Sequence, residues 1–227
     1  MADASGAGPS GRDPFDGREP TSHERMSGVP WDASYTQGPA PWDLGRPQPA
    51  IVRLAEAGAF CGPVLDAGCG TGENALHVAS LGVEVLGVDV APTAIAEART
   101  KAAARGSGAQ GATARFEVGD AFDLAVLGRR FATVLDCGMF HTCDADERPR
   151  YVASLAVATE RGGTLHVLCL GDEGEDVGPH PVSRGELRAA FAPATGWEVV
   201  RIVEERIETR FHGPDGAPGW LATVRRL

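Results

Sequence analysis

Two short segments of the sequence carry residues whose types and spacing suit the binding of a nucleoside. Residues 64–72 read Val-Leu-Asp-Ala-Gly-Cys-Gly-Thr-Gly, and residues 83–89 read Val-Glu-Val-Leu-Gly-Val-Asp. Both begin as apolar runs that predict strands; the first ends in alternating glycines and the second in a carboxylate. Glycines let a ligand approach the backbone closely, and an acid at the tip of the second strand suits a ribose diol. Together they predict half of a nucleotide-binding α/β unit.

The residue that follows the third glycine distinguishes between ligand classes. A dinucleotide site has the spacing Gly-x-Gly-x-x-Gly, whereas here Gly68, Gly70 and Gly72 alternate and Glu73 follows. A carboxylate at this helix start would repel a pyrophosphate, but not a ligand that carries an amino acid and a sulfonium cation. The segment resembles motif I of class I S-adenosylmethionine-dependent methyltransferases, which implies that Gly68 and Gly70 contact the cofactor. The alternative is a glycine-rich turn that binds nothing.

Acidic residues stand at four predicted strand ends, where open α/β sheets bind their ligands. The resemblance implies that Asp66 orients the methionyl amino group of the cofactor and that Asp89 accepts hydrogen bonds from the ribose. It also implies that Asp120 and the backbone of Ala121 bind the adenine. Asp136 would lie beside the reacting methyl group. The alternative for any one of these acids is a structural cap or a turn residue.

A further resemblance lies in an aromatic segment near the N-terminus. The sequence Trp-Asp-Ala-Ser-Tyr at 31–35 is followed by Pro-Trp-Asp-Leu-Gly-Arg-Pro-Gln-Pro at 41–49. This resembles the signature of the thiopurine and thiol/halide methyltransferase group, whose aromatic residues fold over the bound cofactor. Trp31, Tyr35 and Trp42 have the corresponding spacing, although Tyr35 replaces a tryptophan common in that group. Aromatic faces attract a sulfonium cation and exclude water; the alternative is a hydrophobic staple.

Residues that would border the methyl acceptor follow the fourth predicted strand. The sequence Asp-Cys-Gly-Met-Phe-His-Thr at 136–142 resembles the same group, as does the loop 172–187. His141 is the best-placed titratable residue, because its usual pKa lies near neutrality and it could accept a proton from an incoming hydroxyl, amine or thiol. The alternative is a histidine that bonds to backbone and shapes the pocket. His180 is a weaker candidate for acceptor contact.

The elements that would position these residues alternate between strands and helices. Predicted strands cover 63–67, 83–88, 113–118, 131–136, 164–170, 198–207 and 220–226, and predicted helices cover 49–57, 73–81, 93–105, 144–160 and 183–191. Alternation predicts a parallel sheet, to which the last two strands, joined by the turn 213–219, add an antiparallel pair. The order resembles the methyltransferase fold: α/β, Rossmann-like, with a seven-stranded mostly parallel sheet and helices on both faces.

The N-terminal region differs in composition from the remainder. Residues 1–29 are rich in Gly, Pro, Ser, Asp and Arg and lack apolar periodicity, so they predict a disordered tail. Residues 30–227 are predicted to form one methyltransferase domain. Its first part, 30–49, holds the aromatic residues that would cover the cofactor.

Charge and cysteine content restrict the partners and the compartment. A formal net charge of −10 argues against nucleic acid or anionic membrane as a partner. Five cysteines without a Cys-x-x-Cys pair suggest neither a disulfide framework nor a metal site. We find no apolar run long enough to span a membrane and no signal peptide, which favours the cytoplasm. The oligomeric state stays open.

These patterns lead to one principal hypothesis and three alternatives. The principal hypothesis is methyl transfer from S-adenosylmethionine to a small molecule, by resemblance a thiol or a similarly soft nucleophile. The first alternative is an O- or N-methyltransferase of a small heterocyclic or phenolic metabolite. The second is a cofactor-binding regulatory module without activity, against which the intact glycines and acids argue. The third, a nicotinamide-dependent reductase, is disfavoured by Glu73.

Overall fold

A single seven-stranded sheet organises the chain. The computed structural model describes residues 13–15, 17–106, 113–173, 178–213 and 215–227. The strands are β1 (Val64–Ala67), β2 (Val85–Asp89), β3 (Ala114–Val118), β4 (Phe131–Cys137), β5 (Thr159–Leu170), β6 (Trp197–Ile207) and β7 (Ala217–Arg226). Their order is β3-β2-β1-β4-β5-β7-β6, with β7 antiparallel to both neighbours. The predicted fold class is confirmed.

Helices surround this sheet. They are α1 (Ser22–Ser27), α2 (Pro49–Glu56), α3 (Glu73–Ser80), α4 (Pro92–Arg105), α5 (Glu147–Ala158) and α6 (Arg184–Ala190). Proline occupies the first turn of α2 and of α4, where its missing N–H costs no hydrogen bond. Among the described residues, no helix is long and apolar enough to cross a membrane.

Two predicted boundaries near the C-terminal half differ from the structure. The helix predicted over 144–160 ends at Ala158, and β5 begins at Thr159 rather than at 164 because Thr159 already pairs with Phe131. The glycines at 162–163 lie in the register shift of this strand instead of forming a turn before it. The turn predicted over 213–219 is shorter too, since β7 begins at Ala217, opposite Ile207.

The core consists of one apolar cluster on each face of the sheet. The first includes Phe131, Tyr151 and Trp197, and the second includes Ile51, Leu76 and Phe116. Strands β1 and β4 are buried on both faces, as the parallel centre of such a sheet requires. The central strands are therefore rigidly held, and their carboxyl ends present side chains from a fixed frame.

The structure differs from the predicted disordered tail at the residues nearest the domain. Helix α1 begins with a capping box between Thr21 and Glu24. It docks on the region before α5, where Ser22 N donates to Glu147 Oε1 (2.6 Å) and Ser22 Oγ donates to Thr142 O (3.1 Å). The folded part therefore begins before residue 30, because hydrogen bonds rather than apolar periodicity hold this segment. Residues 1–12 and 16 lie outside the described residues.

Candidate active site

A cavity of about 800 Å³ opens at the carboxyl edge of the sheet. It is lined by nine of the twelve residues predicted to contact cofactor or acceptor: Trp31, Tyr35, Trp42, Gly68, Gly70, Asp89, Asp120, Ala121 and His141. Asp66, Asp136 and His180 do not line it. Its size and its largely apolar and aromatic wall are those of a small-molecule site.

The glycine loop after β1 and the acid at the end of β2 are joined directly. Gly70 N donates to Asp89 Oδ2 (2.8 Å), and Ala91 N donates to Asp89 Oδ1 (2.9 Å). A carboxylate offers about four acceptor sites, so lone pairs remain for hydroxyl groups of a ligand. Burial raises the pKa of Asp89, against the effect of these two amides. A Cβ at Gly70, where φ is +54°, would lie 3.2 Å from Tyr35 Oη, so the glycine keeps the floor open.

Asp66 and Asp136 lie behind the cavity wall. Asp136 Oδ1 accepts from Met139 N (2.9 Å) and Phe140 N (3.2 Å) and so fixes the turn that leads to His141. Because side chains alternate along a strand, Asp136 points away from the cavity that its neighbour Cys137 lines. Asp136 is therefore absent from the cavity lining, and its predicted contact with the cofactor stays a prediction. Burial raises the pKa of each carboxyl to about 7.

Asp120 combines the predicted position with a capping role. Its Oδ1 accepts from Phe122 N (2.9 Å) at the start of a 3-10 helix over Ala121–Leu127. Its side chain and Ala121 also line the cavity, next to a guanidinium from the N-terminal segment, that of Arg18. The acid thus stands at the end of the cavity above β3.

The three predicted aromatic residues form one wall. The indole N–H of Trp42 donates to Tyr35 Oη (2.9 Å). The Trp31 and Trp42 rings meet edge to face, with centroids 5.5 Å apart. Trp31 also stacks on His23, with centroids 4.1 Å apart and planes inclined by 12°. This wall faces the glycine loop and would enclose a ligand lying between them.

Sequence reasoning missed a second wall that the N-terminal segment provides. The Arg18 guanidinium pairs with Glu24 through two hydrogen bonds of 2.6 and 2.8 Å, and Glu24 is fully buried. Glu24 also accepts from Trp31 N (3.0 Å), which attaches the aromatic wall to α1. Arg18, Thr21 and His23 all line the cavity. The available signal was Thr21-x-x-Glu24, the spacing of a capping box.

The carboxylate of Glu73, which was expected to repel a pyrophosphate, is compensated by two basic side chains. It pairs with Lys101 (3.0 Å) and with Arg105 (2.7 Å). Lys101 also donates to Thr71 Oγ1 (2.8 Å), which itself donates to Asp43 Oδ2 (2.9 Å). This network connects the start of α3, α4 and the residue after Trp42. Its effect is to hold the aromatic wall against the glycine loop.

His141 lines the cavity, and one of its ring nitrogens already accepts a hydrogen bond from the backbone. The backbone N–H of Leu170, the last residue of β5, donates to His141 Nδ1 at 3.2 Å. Because a backbone amide can only donate, Nδ1 is unprotonated, and in the neutral ring Nε2 carries the proton. Burial lowers the pKa of His141 to about 3, and the nearby Arg148 guanidinium acts in the same direction. His141 therefore offers a donor to the cavity and stays neutral. This is the backbone-bonded arrangement that the sequence left open.

The far side of the cavity is built by the connection between β6 and β7. The residues that line it there are Ile207, Glu208, Thr209, Phe211, His212 and Gly213. Strand β6 runs parallel to β5, so its carboxyl end reaches the same edge as the ends of β1 and β4. This connection lies at the opposite end of the sheet from β3 and Asp120. No sequence pattern had marked it as part of a site.

Comparison with known proteins agrees with this geometry. Residues 64–163 match the family described as "Methyltransferase domain". The chain is 40% identical over 189 residues to the Mycobacteroides abscessus 2-heptyl-1-hydroxyquinolin-4(1H)-one methyltransferase, covering 82% of this chain and 81% of that one. It is 30% identical over 179 residues to a probable thiol methyltransferase 2 of Arabidopsis thaliana, covering 78% and 77%. A solved structure described as "Conversion of a Disulfide Bond into a Thioacetal Group during Echinomycin Biosynthesis" shares 41% identity at a TM-score of 0.71, covering 82% and 84%.

The fold, the strand-end acid beside a glycine loop and these relatives agree with one another. The glycines and carboxylates at the edge of the sheet suit a nucleoside that carries an amino acid, and the aromatic wall suits a sulfonium. The chain belongs to the class I S-adenosylmethionine-dependent methyltransferases.

Proposed function

We propose that this methyltransferase acts on an oxygen of a small heteroaromatic hydroxyl compound that ionises without help from the enzyme. The observation that carries the proposal is the hydrogen bond from Leu170 N to His141 Nδ1. It leaves the ring with a proton on Nε2, so His141 cannot accept one from the acceptor. Hydroxyl groups on electron-poor heteroaromatic rings are acidic enough to be partly ionised near neutral pH. The 40% identical relative named for a hydroxyquinolinone supports this class.

We assign the cofactor to the half of the cavity above β1, β2 and β3. Asp89 would accept from the ribose hydroxyls, and Asp120 with Ala121 would hold the adenine. Gly68 and Gly70 would lie under the methionyl part. Asp66 would act from behind the wall, as a buried carboxyl with Oδ2 unpartnered among the described residues. Trp31, Tyr35 and Trp42 would cover the ligand from above.

The chain contributes alignment and a dry environment to the reaction. When bound, S-adenosylmethionine supplies a methyl group attached to a positively charged sulfur. The charges of sulfonium and acceptor neutralise each other as the methyl moves, so exclusion of water and fixed geometry favour the transfer. The His141 Nε2–H donates a hydrogen bond that orients the acceptor oxygen. The turn held by Asp136 Oδ1 positions this donor.

A thiol is the second candidate acceptor. The relatives that favour it are the probable thiol methyltransferase and the structure concerned with thioacetal formation. A thiol that ionises near neutral pH also needs no base. Met139 and Cys137 give the cavity polarizable sulfur surface near His141. Product analysis after incubation with matched heteroaromatic hydroxyl and thiol compounds separates the two candidates. Efficient formation of the O-methyl product supports the proposed function, and efficient formation of the S-methyl product supports the thiol.

Replacing His141 tests whether the enzyme needs a base. We expect His141→Ala to lower kcat/KM at pH 8 by less than about tenfold, because the variant loses a hydrogen-bond donor and not a general base. Loss of a general base typically costs about 10²–10⁴-fold. The pKa of His141 of about 3 keeps the ring neutral at every pH above 5. The rate should therefore follow only the ionisation of the acceptor. His141→Gln keeps a donor and serves as the control. A loss above 100-fold that higher pH restores would assign His141 as the base.

Hydrogen exchange tests the cofactor-covering role of the aromatic wall. We expect backbone amides of residues 31–42 to exchange more slowly when S-adenosylhomocysteine is added, because the ligand stabilises the closed wall. Amides at the end of β7, in Val224 and Arg225, pair with Leu165 and Thr164 away from the carboxyl edge and serve as the internal control. Equal protection of 31–42 with and without ligand would mean that the wall is a permanent packing element.

A further inference from the structure

Two aromatic side chains at the mouth of the cavity are exposed to solvent. Phe211 is 77% exposed and Trp42 is 37% exposed, and both line the cavity. Single exposed apolar side chains are ordinary on protein surfaces. Here two lie on one rim of one cavity, where a ligand that enters can cover them.

Two hydrogen bonds donated by Arg210, one from its backbone and one from its side chain, place these two rings on the same rim. Arg210 N donates to Pro41 O at 2.7 Å, and the Arg210 Nε–H donates to Asp43 O at 2.6 Å. The residue that follows Arg210 is Phe211, and the residue between Pro41 and Asp43 is Trp42. The β6–β7 connection and the aromatic wall are thus joined at the position of the two rings.

A second clamp fixes the start of the β6–β7 connection. The side-chain amide of Gln48 donates to Glu208 O (2.7 Å) and accepts from Glu208 N (3.0 Å), as a neighbouring strand would. Gln48 is buried, so this pairing is shielded from water. Phe211 therefore stands on a fixed support.

Several polar and charged groups of this rim bond to other protein groups. The Arg46 guanidinium forms an ion pair with the Glu208 carboxylate. The Arg210 Nε–H donates to the backbone of Asp43, and Thr209 Oγ1 and His212 Nδ1 are hydrogen-bonded to each other at 2.7 Å. The rings of Phe211 and Trp42 are the aromatic surface that this rim offers to a ligand.

We propose that Phe211 and Trp42 bind an apolar substituent of the methyl acceptor, such as an alkyl chain that runs from the reacting ring to the cavity mouth. The inference rests on the proposed function, because it takes the acceptor to be a small heteroaromatic compound. It adds a selection rule that the proposed function does not contain. The enzyme prefers acceptors with an apolar chain, and Phe211 is the specificity-determining residue.

A homologous series of acceptors tests the rule. We use 1-hydroxyquinolin-4-ones that carry hydrogen, propyl or hexyl at carbon 2, and the matching alkylthiophenols. For the wild type, KM should fall by about two- to fourfold per added methylene, as expected for partial to full burial of each group. In Phe211→Ala, KM for the hexyl compound should rise by about tenfold, whereas KM for the unsubstituted compound changes less than twofold. Val126→Ala, at a position that is 71% exposed and does not line the cavity, is the control.

A binding measurement separates this inference from the proposed function. Titration of 2-propyl- and 2-hexylquinolin-4-one, which lack the reactive N-hydroxyl, into enzyme saturated with S-adenosylhomocysteine is followed by tryptophan fluorescence. Tighter binding of the hexyl compound that Phe211→Ala abolishes supports the inference, even if neither acceptor series is methylated and the proposed function fails. The inference is overturned if affinity and KM do not depend on chain length, or if Phe211→Ala leaves that dependence unchanged. This holds even if hydroxyquinolones are methylated.

Discussion

Asp89→Ala is expected to weaken the binding of S-adenosylmethionine by about 1.5–3 kcal/mol, the range for removing a charged acceptor and leaving its partners unpaired. Two effects combine in this loss. The ligand loses an acceptor for its ribose hydroxyls, and the N–H groups of Gly70 and Ala91 lose the carboxylate that orders the glycine loop. Isothermal titration calorimetry with S-adenosylmethionine measures the change directly.

Two further variants serve as controls. Asp89→Asn keeps one oxygen acceptor, so it should lose less affinity than the alanine variant. Glu117→Ala removes an exposed acid from the neighbouring strand, where Glu117 pairs in register with Val88, and should leave affinity unchanged. Unaltered affinity in a folded Asp89→Ala variant would remove Asp89 from the cofactor site.

Gly72→Ala is expected to lower the free energy of unfolding by about 2–4 kcal/mol, since a left-handed backbone and an overpacked core contribute together. Gly72 has φ of +83°, and an added Cβ would lie 2.6 Å from two ring carbons of Phe116 and 3.0 Å from Ala98 Cβ. These neighbours belong to the buried cluster under α3 and α4. Urea unfolding of the cofactor-free protein measures the loss.

Gly128→Ala is the matched control for backbone strain. Gly128 has φ of +61°, and an added Cβ there would meet nothing within 4 Å. The expected cost is therefore about 1 kcal/mol, the penalty for the left-handed conformation alone. Equal losses at the two glycines would show that the ring of Phe116 moves aside freely and that the glycine loop is not confined by the core.

The parts of the fold that the sequence predicted correctly depend on local signals. Apolar runs beside glycines marked β1 and β2, because strand burial and positive φ are properties of a few consecutive residues. Asp89 and Asp120 reach the cavity since both stand at strand ends, which a parallel sheet brings to one edge. Asp136 does not reach the cavity. Neighbouring side chains at the end of β4 point in opposite directions, and the sequence alone does not reveal which of them faces the cavity.

The parts that the sequence did not predict depend on contacts between distant residues. The amide that occupies His141 Nδ1 belongs to Leu170, 29 positions away, and Gln48 is 160 positions from Glu208. Helix α1 was missed for another reason. Composition averages over a window, and the four residues of its capping box stand within a polar region that otherwise resembles a tail.

The attachment of α1 has a consequence for how such enzymes diverge after gene duplication. The helix is held by side-chain hydrogen bonds to the short region from Thr142 to Glu147, outside the central sheet. Mutations in it reshape one wall of the cavity, while the buried strands that carry the glycine loop are untouched. A duplicate copy can therefore vary this wall of the cavity through substitutions in a short stretch of its gene that is separate from the residues of the central sheet.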